Sequence, residues 1–362
     1  MAFAMLILAI SLALAAGNAD AASQVPAMFV FGDSLVDPGN NNNLKTLAKA
    51  NFYPNGIDFP AGVTGRFCNG GTVADHLGNL LGLPLIPRFS DLSTNGSKIL
   101  QGVNYASAAA GILDDTGKLF GDLFSMDEQI QNYQKTHEEL KLELRSINGG
   151  VVEDFLRKSL FFVCTGSNDY LNNYLFPLST KPLKYTINAF HESVIQQFTR
   201  QLKSLYDLGG RKFLVAGLGP LGCIPSQIGS SSKNLSACVE TTNEISSQYN
   251  AKLKMAIREL NDNLAGAHFL YWDIYTPTFE IIRNPTRYGF KYAHKACCGG
   301  GRSKGQILCL PLLPFECQDR SQFVFWDPYH PTDAFNAIVA QQAYQGKLQS
   351  KDPMNVQQLI QL

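Results

Sequence analysis

Two short segments near opposite ends of the 362-residue chain carry residue types suited to nucleophilic chemistry. In "MFVFGDSLVDPGNNN" (28–42) an apolar run stops at Gly32-Asp33-Ser34 and a polar, Asn-rich stretch follows. A serine at the carboxyl end of a strand is displayed at the sheet edge, where it can act as a nucleophile once a base takes its proton. No histidine neighbours Ser34, and the spacing is not Gly-x-Ser-x-Gly. A base is available in "FVFWDPYHPTDAF" (323–335), where Asp327 and His330 lie three apart around Pro328. The carboxylate can accept from one ring nitrogen and leave the other free, which completes the roles of nucleophile, base and orienting acid. In "TGSNDYLNNY" (165–174) the Asn168 amide can donate to a developing oxyanion. In "GVNYASAAAGILDDTG" (102–117) a run of small residues lets a backbone N–H approach a ligand closely. Each segment has a bland reading. A strand-end serine is commonly a turn or a helix cap, Ser-Asn-Asp is a common turn, and Asp-x-x-His arises by chance. That Ser34, Asn168 and the Asp327–His330 pair all follow apolar strands favours the catalytic reading.

The elements that must position these residues alternate. Apolar runs at 27–32, 159–166, 211–219, 267–273 and 322–327 read as strands buried on both faces. Amphipathic stretches at about 71–82, 126–147, 185–208, 238–265 and 331–346 read as helices between them. The alternation predicts a single α/β domain with a mainly parallel sheet and a site at the carboxyl ends of its strands. Long loops at 84–125, 166–184 and 285–321 would build the pocket. Their Phe120, Phe124, Tyr170, Tyr174, Phe176, Leu312, Leu313 and Phe315 suit an acyl chain, or equally a core beneath long loops.

Composition narrows the class. Thirty basic and thirty acidic residues give a formal net charge of zero, with no basic stripe for nucleic acid. Residues 1–22 read as a signal peptide, apolar but too short to span a membrane, and 23–362 as one exported domain. No later segment is apolar enough for a membrane span. The eight cysteines fit an oxidising compartment. Cys223 and Cys238 flank a Ser/Gly-rich loop and can close it, while the 297–317 cluster suits disulfides better than zinc. Cys164 reads as a buried free thiol, and Asn95 and Asn234 sit in glycosylation motifs. Three further motifs mislead. "GLGPLG" (217–222) lacks the helix that a dinucleotide site needs. "GRSKG" (301–305) lies in the Cys-rich loop rather than on a strand–helix elbow. "HEELKLEL" from His137 lacks a second ligand histidine.

Six blocks then occur in order: "FVFGDSLVDPGNNN", "GRFCNG", "GVNYASAAAGI", "GSNDY", "GLGPLGCIP" and "WDPYHPT". With them the mature chain resembles a plant-type GDSL esterase/lipase of the SGNH hydrolase superfamily. The resemblance implies a three-layer α/β/α sandwich with a flavodoxin-like sheet. It implies Ser34 as nucleophile, His330 as general base and acid, and Asp327 as its partner. The oxyanion hole would use the N–H of Ser34, the Asn168 side chain and a glycine N–H of the third block. That last role falls on Gly111, because Ala108-Ala109-Ala110 stands where many relatives have Gly-Gly. The implied activity is hydrolysis of small-molecule or lipid esters, with no metal or cofactor. The protein is read as a monomer, secreted, and in a plant placed in the apoplast or cell wall. Acyl transfer to a lipid or polymer hydroxyl through the same triad is the alternative, and a non-catalytic binding protein is a third reading.

Overall fold

The computed structural model describes residues 23–231, 234–311, 316–346 and 354–362; the expected signal peptide, together with Leu312, Leu313 and Phe315, lies outside them. Four strands, β1 (Met28–Gly32), β2 (Leu160–Cys164), β3 (Lys212–Ala216) and β4 (His268–Trp272), form a parallel sheet in the order β1-β2-β3-β4. They match four of the five predicted apolar runs. Outside β1, residues 103–107 run parallel to it: the Val30 N–H donates to the Val103 carbonyl, the Tyr105 N–H to Val30 and the Ser107 N–H to Gly32. Counted along the chain, that segment is the second strand-like element, so the order is 2-1-3-4-5, the flavodoxin-like arrangement. Its switch point lies at β1, whose carboxyl end leads directly into Ser34.

Alternating side chains divide the core between the two sheet faces, as period-2 strands require. Met28, Val30, Leu160, Phe162, Leu214 and Trp272 pack on one side, against α1 (Val73–Leu80) and a C-terminal helix, Asp333–Gln345. Phe29, Phe31, Phe161, Val163, Phe213 and Tyr271 pack on the other, against α2 (Met126–Asn148), α3 (Ile187–Asp207) and α4 (Glu240–Asn263). The result is three layers. Ser125 and Thr72 open α2 and α1 with capping boxes. All five predicted helices are present to within a few residues.

The structure corrects two details of the sequence reading. The last predicted strand, β6 (Phe323–Phe325), does not join the central sheet. It pairs in parallel with β5 (Tyr292–Ala296), which no apolar run announces because "YAHKA" carries His294 and Lys295 and only its two alanines are buried. A helix, Pro225–Ser231, also opens the segment read as a Ser/Gly loop. Its first residue is a proline, whose fixed φ suits a first helical turn and whose missing N–H costs nothing there. Leu221–Cys223 forms a separate 3-10 turn before it, so the Gly217–Gly222 motif does not open into that helix.

Six cysteines pair as Cys223–Cys238, Cys297–Cys317 and Cys298–Cys309. Cys68 and Cys164 are buried and unpaired. Among the described residues no helix is long and apolar enough to cross a membrane.

Candidate active site

Ser34 follows the tight end of β1. Gly32 sits at φ 154°, and a Cβ there would lie 2.1 Å from the Cys164 carbonyl oxygen. Only a glycine lets the chain leave β1 this close to β2. The buried Gln129 of α2 fixes the exit, accepting from the Gly32 N–H at 2.9 Å and donating to its carbonyl at 2.9 Å. Asp33 turns inward, accepts from the Leu35 N–H at 3.0 Å, and leaves Ser34 half-buried at the surface of a cavity.

His330 arrives from β6. After Trp326 the chain folds back on itself: the Trp326 N–H donates to the His330 carbonyl, and Oδ1 of Asp327 accepts from the N–H groups of Tyr329 and His330, each at 2.8 Å. The same carboxylate lies 2.8 and 2.7 Å from Nδ1 of His330, and Nε2 of His330 lies 2.7 Å from Oγ of Ser34. The three residues, 296 positions apart at the widest, therefore form one hydrogen-bonded line. Phe67, from the "GRFCNG" block, packs on the imidazole with ring centroids 4.9 Å apart.

Asn168 lies in the turn after β2. Its Nδ2 donates one hydrogen to the Ala110 carbonyl at 2.9 Å, and its Oδ1 accepts from Asn172 Nδ2 at 2.6 Å. Its side-chain amide carries a second hydrogen, and the residue lines the cavity. Gly111 does not. A Cβ on it would meet Thr116 and Asp169 at 2.5–2.6 Å, so it is a glycine for packing against Asp169. The residues of that loop that line the cavity are Ala108 and Ala109. Ala109 has φ 66°, a left-handed conformation unusual for a residue with a Cβ. Among the described residues, the backbone N–H groups of Ser34, Ala109 and Gly111 have no hydrogen-bond acceptor.

The cavity holds about 410 Å³, within the range of small-molecule sites. Its wall is mainly apolar, with Phe52, Phe67, Phe120, Leu171, Leu221 and Ile224 among its residues. Of the described aromatics expected in it, only Phe120 lines it; Tyr170 and Tyr174 belong to the core on the α2–α4 side. Gly217 and Gly219 of the misleading glycine motif form part of the wall, as do Gly305 and Cys309 of the disulfide-linked loop.

Burial dominates the electrostatics. It pushes the carboxyl of Asp33 up to about 7, against the opposing pull of the Leu35 N–H and of His330. It likewise raises Asp37 and Asp169 to about 6, although each accepts several hydrogen bonds. No motif of nucleophilic chemistry singles out either aspartate, or Gln129, in the sequence. The signal was the unexplained polar run "DPGNNN" and the aspartate directly after Asn168.

A serine in line with a histidine and a carboxylate, beside a mainly apolar cavity, is the arrangement of a serine hydrolase. The family model for GDSL-like lipase/acylhydrolase matches residues 28–343, and the chain belongs to this family of ester hydrolases. Curated relatives from Arabidopsis thaliana agree. "GDSL esterase/lipase At1g71691" is 48% identical over 93% of this chain and 86% of its own. "GDSL esterase/lipase At5g08460" is 45% identical over 95% and 90%, and "GDSL esterase/lipase 7" is 44% identical over 93% and 92%.

Proposed function

We propose that this protein is an exported carboxylic ester hydrolase that works through an acyl-enzyme on Ser34. The observation that carries the reading is the unbroken line Ser34–His330–Asp327. Oγ of Ser34 attacks the ester carbonyl as Nε2 of His330 takes its proton. Asp327 accepts from the Nδ1–H and stabilises the imidazolium. The tetrahedral oxyanion is met by the N–H of Ser34, the Nδ2 of Asn168 and the N–H of Ala109. Both Ala109 and Gly111 have an N–H without an acceptor among the described residues, and the third role goes to Ala109 because it lines the cavity and Gly111 does not. His330 returns its proton to the departing alcohol. Water, deprotonated by the same base, then releases the acid and restores Ser34.

The mainly apolar wall suits an acyl group. Three disulfides suit an oxidising compartment. Asn95 and Asn234, the two expected glycan acceptors, are both exposed. Purified protein is expected to hydrolyse a short p-nitrophenyl ester and to be labelled by a fluorophosphonate. Ser34→Ala is expected to do neither, and wild-type turnover in that variant would overturn the assignment. Adding glycerol and comparing free acid with transferred product measures how the acyl-enzyme divides between hydrolysis and transfer.

A further inference from the structure

The three proposed oxyanion donors come from three chain segments, at Ser34, Ala109 and Asn168. These segments are tied together by two buried carboxylates that the mechanism above does not use. Asp37 lies three residues after Ser34. Its Oδ1 accepts from the N–H groups of Gly39 and Asn40 at 2.7 and 2.6 Å, and its Oδ2 reaches across to accept from the Ala108 N–H at 2.9 Å. Asp169 directly follows Asn168. Its Oδ2 accepts from the Ile112 N–H at 2.8 Å, and its Oδ1 from the Leu113 N–H and the Thr116 hydroxyl at 2.9 and 2.8 Å. Asn41 adds a bond from its Nδ2 to the Ala108 carbonyl at 3.0 Å, and Asn168 holds the Ala110 carbonyl. Ala109 is therefore gripped on both sides in its left-handed conformation.

We infer that Asp37 and Asp169 are positioning residues, a pair of carboxylates that clamp the 107–113 backbone from opposite flanks and hold the Ala109 N–H in register with Ser34 and Asn168. Neither lines the cavity and both are fully buried, so neither acts on substrate directly. Burying a carboxyl is costly, and burial raises both groups to about 6 although their N–H donors pull the other way. Carboxylates are suited to the task, because each oxygen can accept more than one hydrogen bond and so fix several N–H groups at once. A left-handed alanine persists only where its surroundings over-determine it, and these bonds supply that constraint.

The inference rests on the proposed serine mechanism, and its test separates the two. The variants are Asp169→Asn and Asp37→Asn, each of which turns an acceptor oxygen into an NH2 facing N–H donors. Active sites are counted by fluorophosphonate labelling. The readouts are kcat per labelled site, KM, and the affinity of an alkyl boronic acid, which forms a tetrahedral adduct on the serine. A clamp predicts a loss of about 10- to 100-fold in kcat per labelled site. KM stays within about twofold, and boronate affinity falls along with kcat. A role in stability alone predicts fewer labelled sites, each with the wild-type kcat and boronate affinity, and that result in both variants overturns the inference. If Asp169→Asn does not fold, Thr116→Val removes one bond to the same carboxylate and is expected to show the same split at about three- to tenfold. Wild-type protein that neither labels nor hydrolyses any ester would instead overturn the serine mechanism itself.

Discussion

Asn168→Ala should separate two quantities that a single side chain controls. In the folded protein Asn168 spends one amide hydrogen on the Ala110 carbonyl and its oxygen on Asn172. The remaining hydrogen is the one assigned to the oxyanion. Losing one oxyanion donor costs about 10²–10³ in kcat, or about 3–4 kcal/mol of transition-state stabilisation. Losing the bond to Ala110 leaves a buried carbonyl unpaired, at about 1–3 kcal/mol of folding stability. The first effect is read with a p-nitrophenyl ester under saturating conditions, and the second by urea unfolding. KM should move by less than about twofold, since the donor acts on charge that exists only in the transition state. Asn168→Asp is the sharper variant. It keeps the size and replaces the donor with a carboxylate beside the developing negative charge, so its kcat should be no higher than that of Asn168→Ala. A kcat for Asn168→Ala within threefold of wild type would refute the assignment, as would an Asp variant faster than the Ala variant.

Two further outcomes follow from the buried groups around Ser34. Asp33 titrates at about 7 in the folded protein against an ordinary 3.8 because burial disfavours its charge. A folded value above the unfolded one means that the stabilising contribution is present below about pH 4 and is lost as pH rises toward 7. Asp33→Asn mimics the protonated form at every pH and can still accept from the Leu35 N–H. Its advantage in urea unfolding should therefore grow from pH 5 to pH 8, reaching about 4 kcal/mol at most; a difference independent of pH would contradict the assigned cause. Ala109→Gly removes the Cβ penalty of a left-handed residue, about 1–2 kcal/mol, but gives the unfolded chain more freedom, about 0.5–1 kcal/mol. With a further small loss for the buried Ala109 methyl, it should be neutral to about 1 kcal/mol more stable. Ala108→Gly, which lies outside the positive-φ region and loses a buried methyl, should be less stable than wild type, and equal behaviour of the two variants would count against strain at Ala109.

What the sequence made legible follows from the range of each interaction. The four central strands were readable because strands buried on both faces must be apolar at every position, so "MFVFG" and "LFFVC" announce themselves. The five helices were readable from their amphipathic faces. β5 was not, since it is interrupted by His294 and Lys295 and has a single short partner. The same logic divides the site. Ser34 and the Asp327–His330 pair could be named because nucleophile, base and acid require particular chemical types. The third proposed oxyanion donor is a backbone N–H, which any residue except proline carries, so no residue type marks it. Gly111 drew the eye as the glycine of the block, yet the structure gives it a packing reason, the approach of Asp169. The left-handed position falls on Ala109. A residue that would ordinarily be glycine can be alanine only if its neighbours hold the backbone there. Those neighbours, Asp37, Asn41 and Asp169, are the polar residues that a motif search passes over. The specificity of the oxyanion loop therefore lies less in its own small side chains than in the side chains that its backbone is hydrogen-bonded to. A relative with glycine at the position of Ala109 would need that clamp less, and its activity should tolerate loss of the Asp37 equivalent better than this protein tolerates Asp37→Asn.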